Sequence, residues 1–190
     1  MTDEQHESPP EPPPATMTAR IVTVAVGVVL IGFIAILATR DDAPEGADSS
    51  PLLGHVVPAL NGTTLDGTVF DIDSARGSWV LLNFFASWCV PCEQEHPELI
   101  DFARRHSDGS ARVVSVTMGD QEGDTRRFFD ENGGSWPVII DAVSAPATFV
   151  VLQVPESFLI SPGGVVVGKW NGQLTADEVD SVIAQFSEGA

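Results

Sequence analysis

The sequence WVLLNFFASWCVPC occupies residues 79–92, and the rest of the chain can be organised around it. Its first part, Trp79 to Phe85, is a nearly continuous apolar run of the kind found in central strands buried on both faces. The following residues lead into a helical pattern that continues to about His106, and Pro97 should kink it. We therefore predict a buried strand followed at once by a helix, with two cysteines at the helix start.

Cys89 and Cys92 are the only cysteines among the 190 residues. Two cysteines cannot build a disulfide framework and are too few for a zinc site made of thiolates alone. Their C-x-x-C spacing at a helix start allows a disulfide across the first turn, and the helix N-terminus should stabilise a Cys89 thiolate. Val90 and Pro91 lie between them and are expected to adjust the reduction potential of the cysteine pair. Half of a metal site, or two ordinary buried thiols, remain as alternatives.

Apolar runs alternate with helical patterns in the rest of the chain. A hairpin is predicted between Leu60 and Ile72 with its turn at Asp66–Gly67, because Asp-Gly dipeptides favour tight turns. Further strands are predicted over about 112–118, 137–140, 157–160 and 165–170, and helices over about 123–132, within 143–154 and from 175 onward. This order predicts an α/β fold with a mixed central sheet.

The last predicted helix has clear signals at its start and along one side. Thr175 and Glu178 have the spacing of a capping box, in which each side chain satisfies the backbone N–H of the other residue. The residues expected to form its apolar face are Val179, Val182, Ile183 and Phe186.

The N-terminal part of the chain differs in composition from the rest. Residues 1–19 hold five prolines, four acids and no Lys or Arg, which predicts a disordered tail. Residues 20–40 are predicted to be a transmembrane anchor, because 21–39 are uncharged, almost wholly apolar and, at ~1.5 Å per residue, long enough for a ~30 Å hydrocarbon core. A cleavable signal peptide is the rival interpretation. Residues 41–51 should be a linker to a single domain, 52–190.

The charge balance excludes one class of function. The chain has 9 Lys and Arg against 27 Asp and Glu, a formal net charge of −18. Nucleic-acid recognition and docking on anionic lipid head groups both depend on clustered basic residues, so we predict no nucleic-acid partner. The hydrophobic content of 43% is too high for a wholly disordered chain.

The motif around the cysteines resembles that of the thioredoxin superfamily. The run NFFASWCVPC is followed by Pro97, and Val154–Pro155, just before a predicted strand, matches the position of that superfamily's cis-proline. The resemblance covers about 57–187. It implies a thioredoxin-like fold, a mixed sheet flanked by helices, in which this proline lies against the disulfide and shapes a substrate groove.

Two further motifs are similar to the membrane-anchored TlpA/ResA/CcmG (DsbE) group of that superfamily. They are Glu95-His96-Pro97 after the cysteines and Pro155-Glu156-Ser157-Phe158-Leu159-Ile160 at the cis-proline. The chain departs from the group at 150–153, where Val-Val-Leu-Gln replaces the common Gly-Val-x-Gly. Asn83 also stands where cytoplasmic thioredoxins usually carry an Asp.

The resemblance implies a set of site residues. The catalytic residues are expected to be Cys89, Cys92, Glu95, Pro155 and Glu156, and the substrate groove should be formed by Trp88, Val90, Pro91 and Val154. Glu95 and Cys92 have i, i+3 spacing, so the carboxylate could exchange a proton with the resolving thiol. The alternative is that Glu95 is a solvated charge on the helix surface. His96, at i+4 from Cys92, leaves a copper or zinc site as a further alternative.

The implied function is that of a membrane-tethered thiol–disulfide oxidoreductase that reduces the cysteines of apocytochrome c before haem attachment. A membrane thiol relay of the CcdA/DsbD type would recharge it, and no cofactor or metal is expected. A tethered dithiol is most useful where stray disulfides form. We therefore expect a single pass through the bacterial cytoplasmic membrane by 21–39, with the N-terminus cytoplasmic and the redox domain outside. A disulfide-forming oxidant or isomerase and a copper-delivery module using Cys89, Cys92 and His96 are the alternatives.

Overall fold

The computed structural model describes residues 26–30 and 49–188. Within these ranges, no helix has both the length and the hydropathy needed to cross a membrane. The predicted tail, 1–19, lies outside the described residues, and of the predicted anchor, 20–40, only the helical stretch 26–30 is described. The tail, the anchor and the linker therefore stay predictions.

A short antiparallel hairpin precedes the central sheet. It consists of β1 (Asn61–Thr63) and β2 (Val69–Asp71), as predicted, and β2 continues into a 3-10 helix, Ile72–Ala75. Gly67 in the turn has a φ of 83°, a conformation that residues with a Cβ adopt only at a cost. The predicted turn at Asp66–Gly67 is confirmed.

The central sheet is mixed and has β3 (Trp79–Phe85) in its middle. β3 is parallel to β4 (Ala111–Thr117) and antiparallel to β6 (Glu156–Ile160). β5 (Val138–Ile139) pairs parallel with β4, and β7 (Val166–Asn171) pairs antiparallel with β6. The order across the sheet is β5-β4-β3-β6-β7. The predicted α/β fold with a mixed sheet is confirmed.

Helices cover both faces of this sheet. In residues 49–188 they are α1 (Val90–Arg105), α2 (Glu122–Asn132), α3 (Ala145–Thr148) and α4 (Ala176–Glu188). On one face, residues of α1 and α4 bury Leu81 and Leu159. On the other face, α3, the 3-10 helix and the hairpin bury Leu82 and Phe158. Because both faces are covered, β3 is apolar along nearly its whole length.

α1 begins directly after β3. Cys89 is its N-cap residue, with an extended backbone (φ −89°, ψ 106°), and Pro91 lies in the first turn, where its missing N–H costs nothing. The helix continues through Pro97. This strand-then-helix connection places Cys89 and Cys92 at the edge of the sheet where β3 ends.

The capping box predicted for the last helix is confirmed. The Glu178 N–H donates to Thr175 Oγ1 at 3.3 Å, and the Thr175 N–H donates to Glu178 Oε2 at 2.8 Å. Val179 and Val182 are fully buried, but Phe186 is 46% exposed. The inclusion of Phe186 in the apolar face was therefore wrong, because the contact of α4 with the core ends one turn before it.

Candidate active site

The two cysteines form a disulfide across the first turn of α1. Their Cα atoms are 5.2 Å apart, and the Cys92 N–H donates to Cys89 Sγ at 3.2 Å. Cys89 is 5% exposed and Cys92 is 3% exposed. In the reduced protein, this N–H and the positive end of the helix dipole would both favour a negative charge on Cys89 Sγ. The helix start therefore provides what a nucleophilic thiolate needs.

The residues flanking the cysteines form an accessible rim. Trp88 is 66% exposed and Val90 is 62% exposed, and Pro91 is also exposed. Next to Trp88 is a groove of about 340 Å³, bounded on the α1 side by Glu93 and on the α2 side by Phe128. A substrate segment could reach the disulfide along this rim.

The Val154–Pro155 bond is cis, as predicted, and faces the disulfide. The Val154 carbonyl oxygen lies 3.6 Å from Cys89 Sγ. A disulfide sulfur has no proton to donate, so this is a contact in the oxidised protein and an available hydrogen bond for a reduced thiol. Pro155 is buried behind it, and Val154 is half-buried.

Glu95, three residues after Cys92 on the buried face of α1, has an exposure of 1%. Its Oε2 accepts a hydrogen bond from Asn83 Nδ2 at 2.9 Å, and its Oε1 accepts one from the Leu174 N–H at 3.1 Å. Burial raises the pKa of Glu95 to about 7, although these two hydrogen bonds oppose the rise. The alternative of a solvated charge on the helix surface is therefore wrong.

Glu156, the first residue of β6, is buried as well, with an exposure of 2%. Its Oε1 accepts hydrogen bonds from the N–H groups of Leu152 (3.1 Å) and Gln153 (3.3 Å). Its Oε2 lies 3.0 Å from Lys169 Nζ, off the direction of a hydrogen bond, so the contact is an ion pair. The side chain thus supports the loop before Pro155 from behind and does not reach the substrate side.

Asp120, which sequence reasoning missed, holds the other loop of the site. Its carboxylate accepts hydrogen bonds from the Ser87 N–H at 2.7 Å, from Ser87 Oγ at 2.9 Å and from Thr125 Oγ1 at 3.1 Å. The neighbouring Gly119 carbonyl accepts one from Trp88 Nε1 at 3.3 Å. An acid shortly after a strand that is parallel to β3 is the signal that could have identified it, because both strands end at the same edge of the sheet.

His96 has a structural role between α1 and α2. Its Nε2 lies 2.9 Å from the Gly133 carbonyl oxygen, and its ring packs against Phe128, Phe129 and Trp136 at centroid distances of 4.9–5.3 Å. Burial lowers its pKa, against the opposing effect of the Gly133 hydrogen bond. No group of three or more His, Cys, Asp or Glu in 26–30 and 49–188 is placed to hold a metal ion. In this structure His96 Nε2 is engaged by the Gly133 carbonyl.

The backbone at 150–153, where the sequence departs from the family pattern, has an unusual conformation. Val150 has a φ of 55°, in the left-handed region that favours glycine. The backbone thus keeps a glycine-like conformation at the position where the family commonly has glycine. Leu152, two residues on, is 83% exposed, so this loop presents an apolar side chain to solvent.

Comparisons with known proteins agree with this geometry. The AhpC/TSA family matches residues 53–169. Thioredoxin-like protein YneN of Bacillus subtilis is 31% identical over 129 residues, which cover 67% of this chain and 76% of that protein. Thiol-disulfide oxidoreductase ResA of the same organism is 26% identical over 170 residues, 89% of each chain. A crystal structure of a thiol:disulfide interchange protein of the thioredoxin family from Chlorobium tepidum has a TM-score of 0.64 at 25% identity and covers 73% of this chain and 98% of that chain.

Proposed function

Because this chain belongs to the AhpC/TSA family and is a thiol–disulfide oxidoreductase of the ResA/CcmG type, we propose that it reduces disulfides in protein substrates outside the cytoplasm. The observation that carries the proposal is the buried Glu95 carboxyl, three residues after Cys92, whose pKa is raised to about 7. Such a group can accept or supply a proton near neutral pH beside the resolving thiol.

The exchange would proceed in two steps. The Cys89 thiolate attacks one sulfur of the substrate disulfide, so that a mixed disulfide forms and one substrate thiolate leaves. The Cys92 thiolate then attacks Cys89 Sγ, which forms the Cys89–Cys92 disulfide and releases the second substrate thiolate. Two electrons pass to the substrate, and its two thiolates take up two protons.

Glu95 would serve the second step. Cys92 must lose its proton before it attacks, and it is buried with an exposure of 3%, away from bulk water. The i, i+3 spacing places Glu95 on the same helix face, and its ionised form can take that proton. Asn83 and the Leu174 N–H donate to the two oxygens of the carboxylate and hold it in place.

The electrostatics around the cysteines favour the reducing direction. Strong oxidants owe their high potential to a stabilised reduced form. Among the hydrogen bonds and ion pairs of residues 49–188, none brings a Lys, Arg or His side chain to either sulfur. The nearby Glu95 would disfavour a thiolate at Cys92 when ionised. Beyond the helix start and the Cys92 N–H, the described residues thus add nothing that stabilises the reduced form, which supports a reductant rather than a strong oxidant.

Apocytochrome c is the proposed substrate, because the resemblance that runs through Glu95-His96-Pro97 and Pro155-Glu156 is to the group that prepares its cysteines for haem attachment. We propose that 21–39 anchor the chain in the bacterial cytoplasmic membrane with the redox domain outside. A membrane thiol relay of the CcdA/DsbD type would then supply the electrons.

The reduction potential of the Cys89–Cys92 couple tests the direction. Equilibrating the full-length chain with defined thiol buffers should give a value near or below about −250 mV, as in thioredoxin. A value near about −120 mV would instead identify a strong oxidant that forms disulfides in exported proteins, and the proposal would fail.

Trapping tests the substrate. In Cys92→Ala the mixed disulfide cannot be resolved, so the variant should retain apocytochrome c through Cys89 when the two are incubated together. Cys89→Ala is the matched control and should retain nothing. If Cys92→Ala captures only small thiols, the proposed substrate is wrong.

A further inference from the structure

Lys169 is a buried cation in an otherwise uncharged strand. It lies in β7 opposite Phe158 of β6, is 7% exposed, and its Nζ lies 5.3 Å from the centre of the Phe158 ring. Lysine is almost never buried without a partner. A lone lysine in the run VVVGKW is therefore a feature that needs an explanation.

The partner of Lys169 is Glu156. Their charged atoms are 3.0 Å apart, and the two side chains are 8% and 2% exposed. A buried ion pair contributes little net stability compared with well-packed apolar residues, but removing one partner leaves an uncompensated charge and is strongly destabilising. Stability alone is thus a weak reason for such a pair.

The other oxygen of Glu156 points to a second role. It accepts hydrogen bonds from the N–H groups of Leu152 and Gln153, two exposed residues of the loop before Pro155. The next residue, Val154, presents its carbonyl oxygen to Cys89 Sγ at 3.6 Å. A continuous set of contacts therefore leads from Lys169 through Glu156 and this loop to the reactive sulfur.

We propose that Lys169 is a positioning residue for thiol–disulfide exchange. By holding one carboxylate oxygen of Glu156, it orients the other oxygen toward Leu152 and Gln153 and so keeps the Val154 carbonyl against Cys89. Lys169 is too deeply buried to contact a substrate, so it acts only through Glu156. The proposal rests on the exchange activity and not on its direction.

The test measures exchange by the full-length chain in both directions, as reduction of insulin and as oxidation of a dithiol peptide. Rates are taken per folded molecule, at a temperature where near-ultraviolet circular dichroism shows each variant folded. Lys169→Met should exchange about tenfold more slowly, the order of loss expected from a small displacement of the reacting groups. Val166→Ala, which opens a cavity in the same strand away from the loop, is the destabilised control and should stay within about twofold of the wild type.

A double variant separates positioning from stability. Glu156→Gln with Lys169→Met leaves no unpaired buried charge, so its unfolding midpoint should recover relative to Lys169→Met. Its exchange should stay slow, because nothing holds the Gln side chain in place. A wild-type rate in Lys169→Met, or recovery of both midpoint and rate in the double variant, would overturn the proposal. A wild-type chain that oxidises the peptide but fails to reduce insulin would count against the reductant assignment alone.

Discussion

Asn83 donates a hydrogen bond of 2.9 Å to Glu95, which joins the middle of β3 to the buried face of α1. The second Asn83 hydrogen reaches Ser157 Oγ at 3.0 Å, so the amide also ties β3 to β6. Both oxygens of the Glu95 carboxyl have donors although the side chain is excluded from water. These two donors stabilise the ionised carboxylate, whereas exclusion from water favours the neutral acid, and the balance places the pKa at about 7.

Glu95 should make the stability of the oxidised protein fall as the pH rises. Its pKa is raised from 4.5 to about 7, so between these values the folded state holds a proton that the unfolded chain has lost. We expect a loss of about 2 kcal/mol in the free energy of unfolding between about pH 5 and about pH 8, which Glu95→Gln removes. Urea titrations at several pH values measure it. The exposed Glu93→Gln is the control, and an equal slope in the wild type and Glu95→Gln would contradict the expectation.

His96 should have the opposite effect and make the stability of the protein fall as the pH decreases. Burial lowers its pKa, so the unfolded chain binds a proton first as the pH falls below about 6.5, and the folded state loses stability. His96→Ala should lower the free energy of unfolding by about 3 kcal/mol at high pH and by less at low pH, because it leaves a cavity among aromatic rings and an unpaired Gly133 carbonyl. Exchange per folded molecule should not change. The exposed His55→Ala serves as reference, and a loss of exchange at full folding would assign His96 to the site instead.

Asp120 should control the loop that carries Trp88. In Asp120→Asn an amide group replaces one of the oxygens that accept hydrogen bonds from Ser87 and Thr125, so the loop should loosen. We expect exchange to slow about fivefold, with a change in Trp fluorescence. Asp130→Asn is the matched control, because that acid is exposed on the surface of α2 and does not line the groove next to Trp88. Equal rates in the two variants would refute a positioning role for Asp120.

Replacing Val150 with glycine should make the protein more stable. Its φ of 55° costs a β-branched residue about 1–2 kcal/mol, and glycine avoids most of that cost. Val150→Gly should therefore raise the free energy of unfolding by about 1 kcal/mol, after allowance for the greater freedom of glycine in the unfolded chain. Val143, a 91% exposed valine without a positive φ, provides the control: Val143→Gly should be neutral or destabilising. A destabilised Val150→Gly would show that the side chain at 150 contributes contacts that outweigh the strain.

Much of the site could be predicted because its signals are local. The apolar run of β3, the C-x-x-C spacing and the capping box each lie within a few residues. The motif Glu95-His96-Pro97 likewise identified Glu95 as a site residue. The cis bond at Val154–Pro155 followed from the resemblance to the thioredoxin superfamily. The sequence left His96 open as an alternative metal ligand, because spacing alone places it near Cys92 and gives no sign of the aromatic rings that enclose it.

The sequence by itself thus determined the order of strands and helices, the reactive pair Cys89 and Cys92, and the membership of the domain in its family. Periodicity, turn dipeptides and motif spacing act over a few residues, and for that reason they can be recognised in a linear chain. Only the tertiary structure decided that Glu95 is buried against Asn83, that Asp120 holds Ser87, and that Lys169 pairs with Glu156 behind the loop facing Cys89. The partners in these contacts are 12, 33 and 13 residues apart in the chain. Which of many distant charges and amides meet depends on how the strands pair and where the helices pack, and burial then sets the charge state of each group.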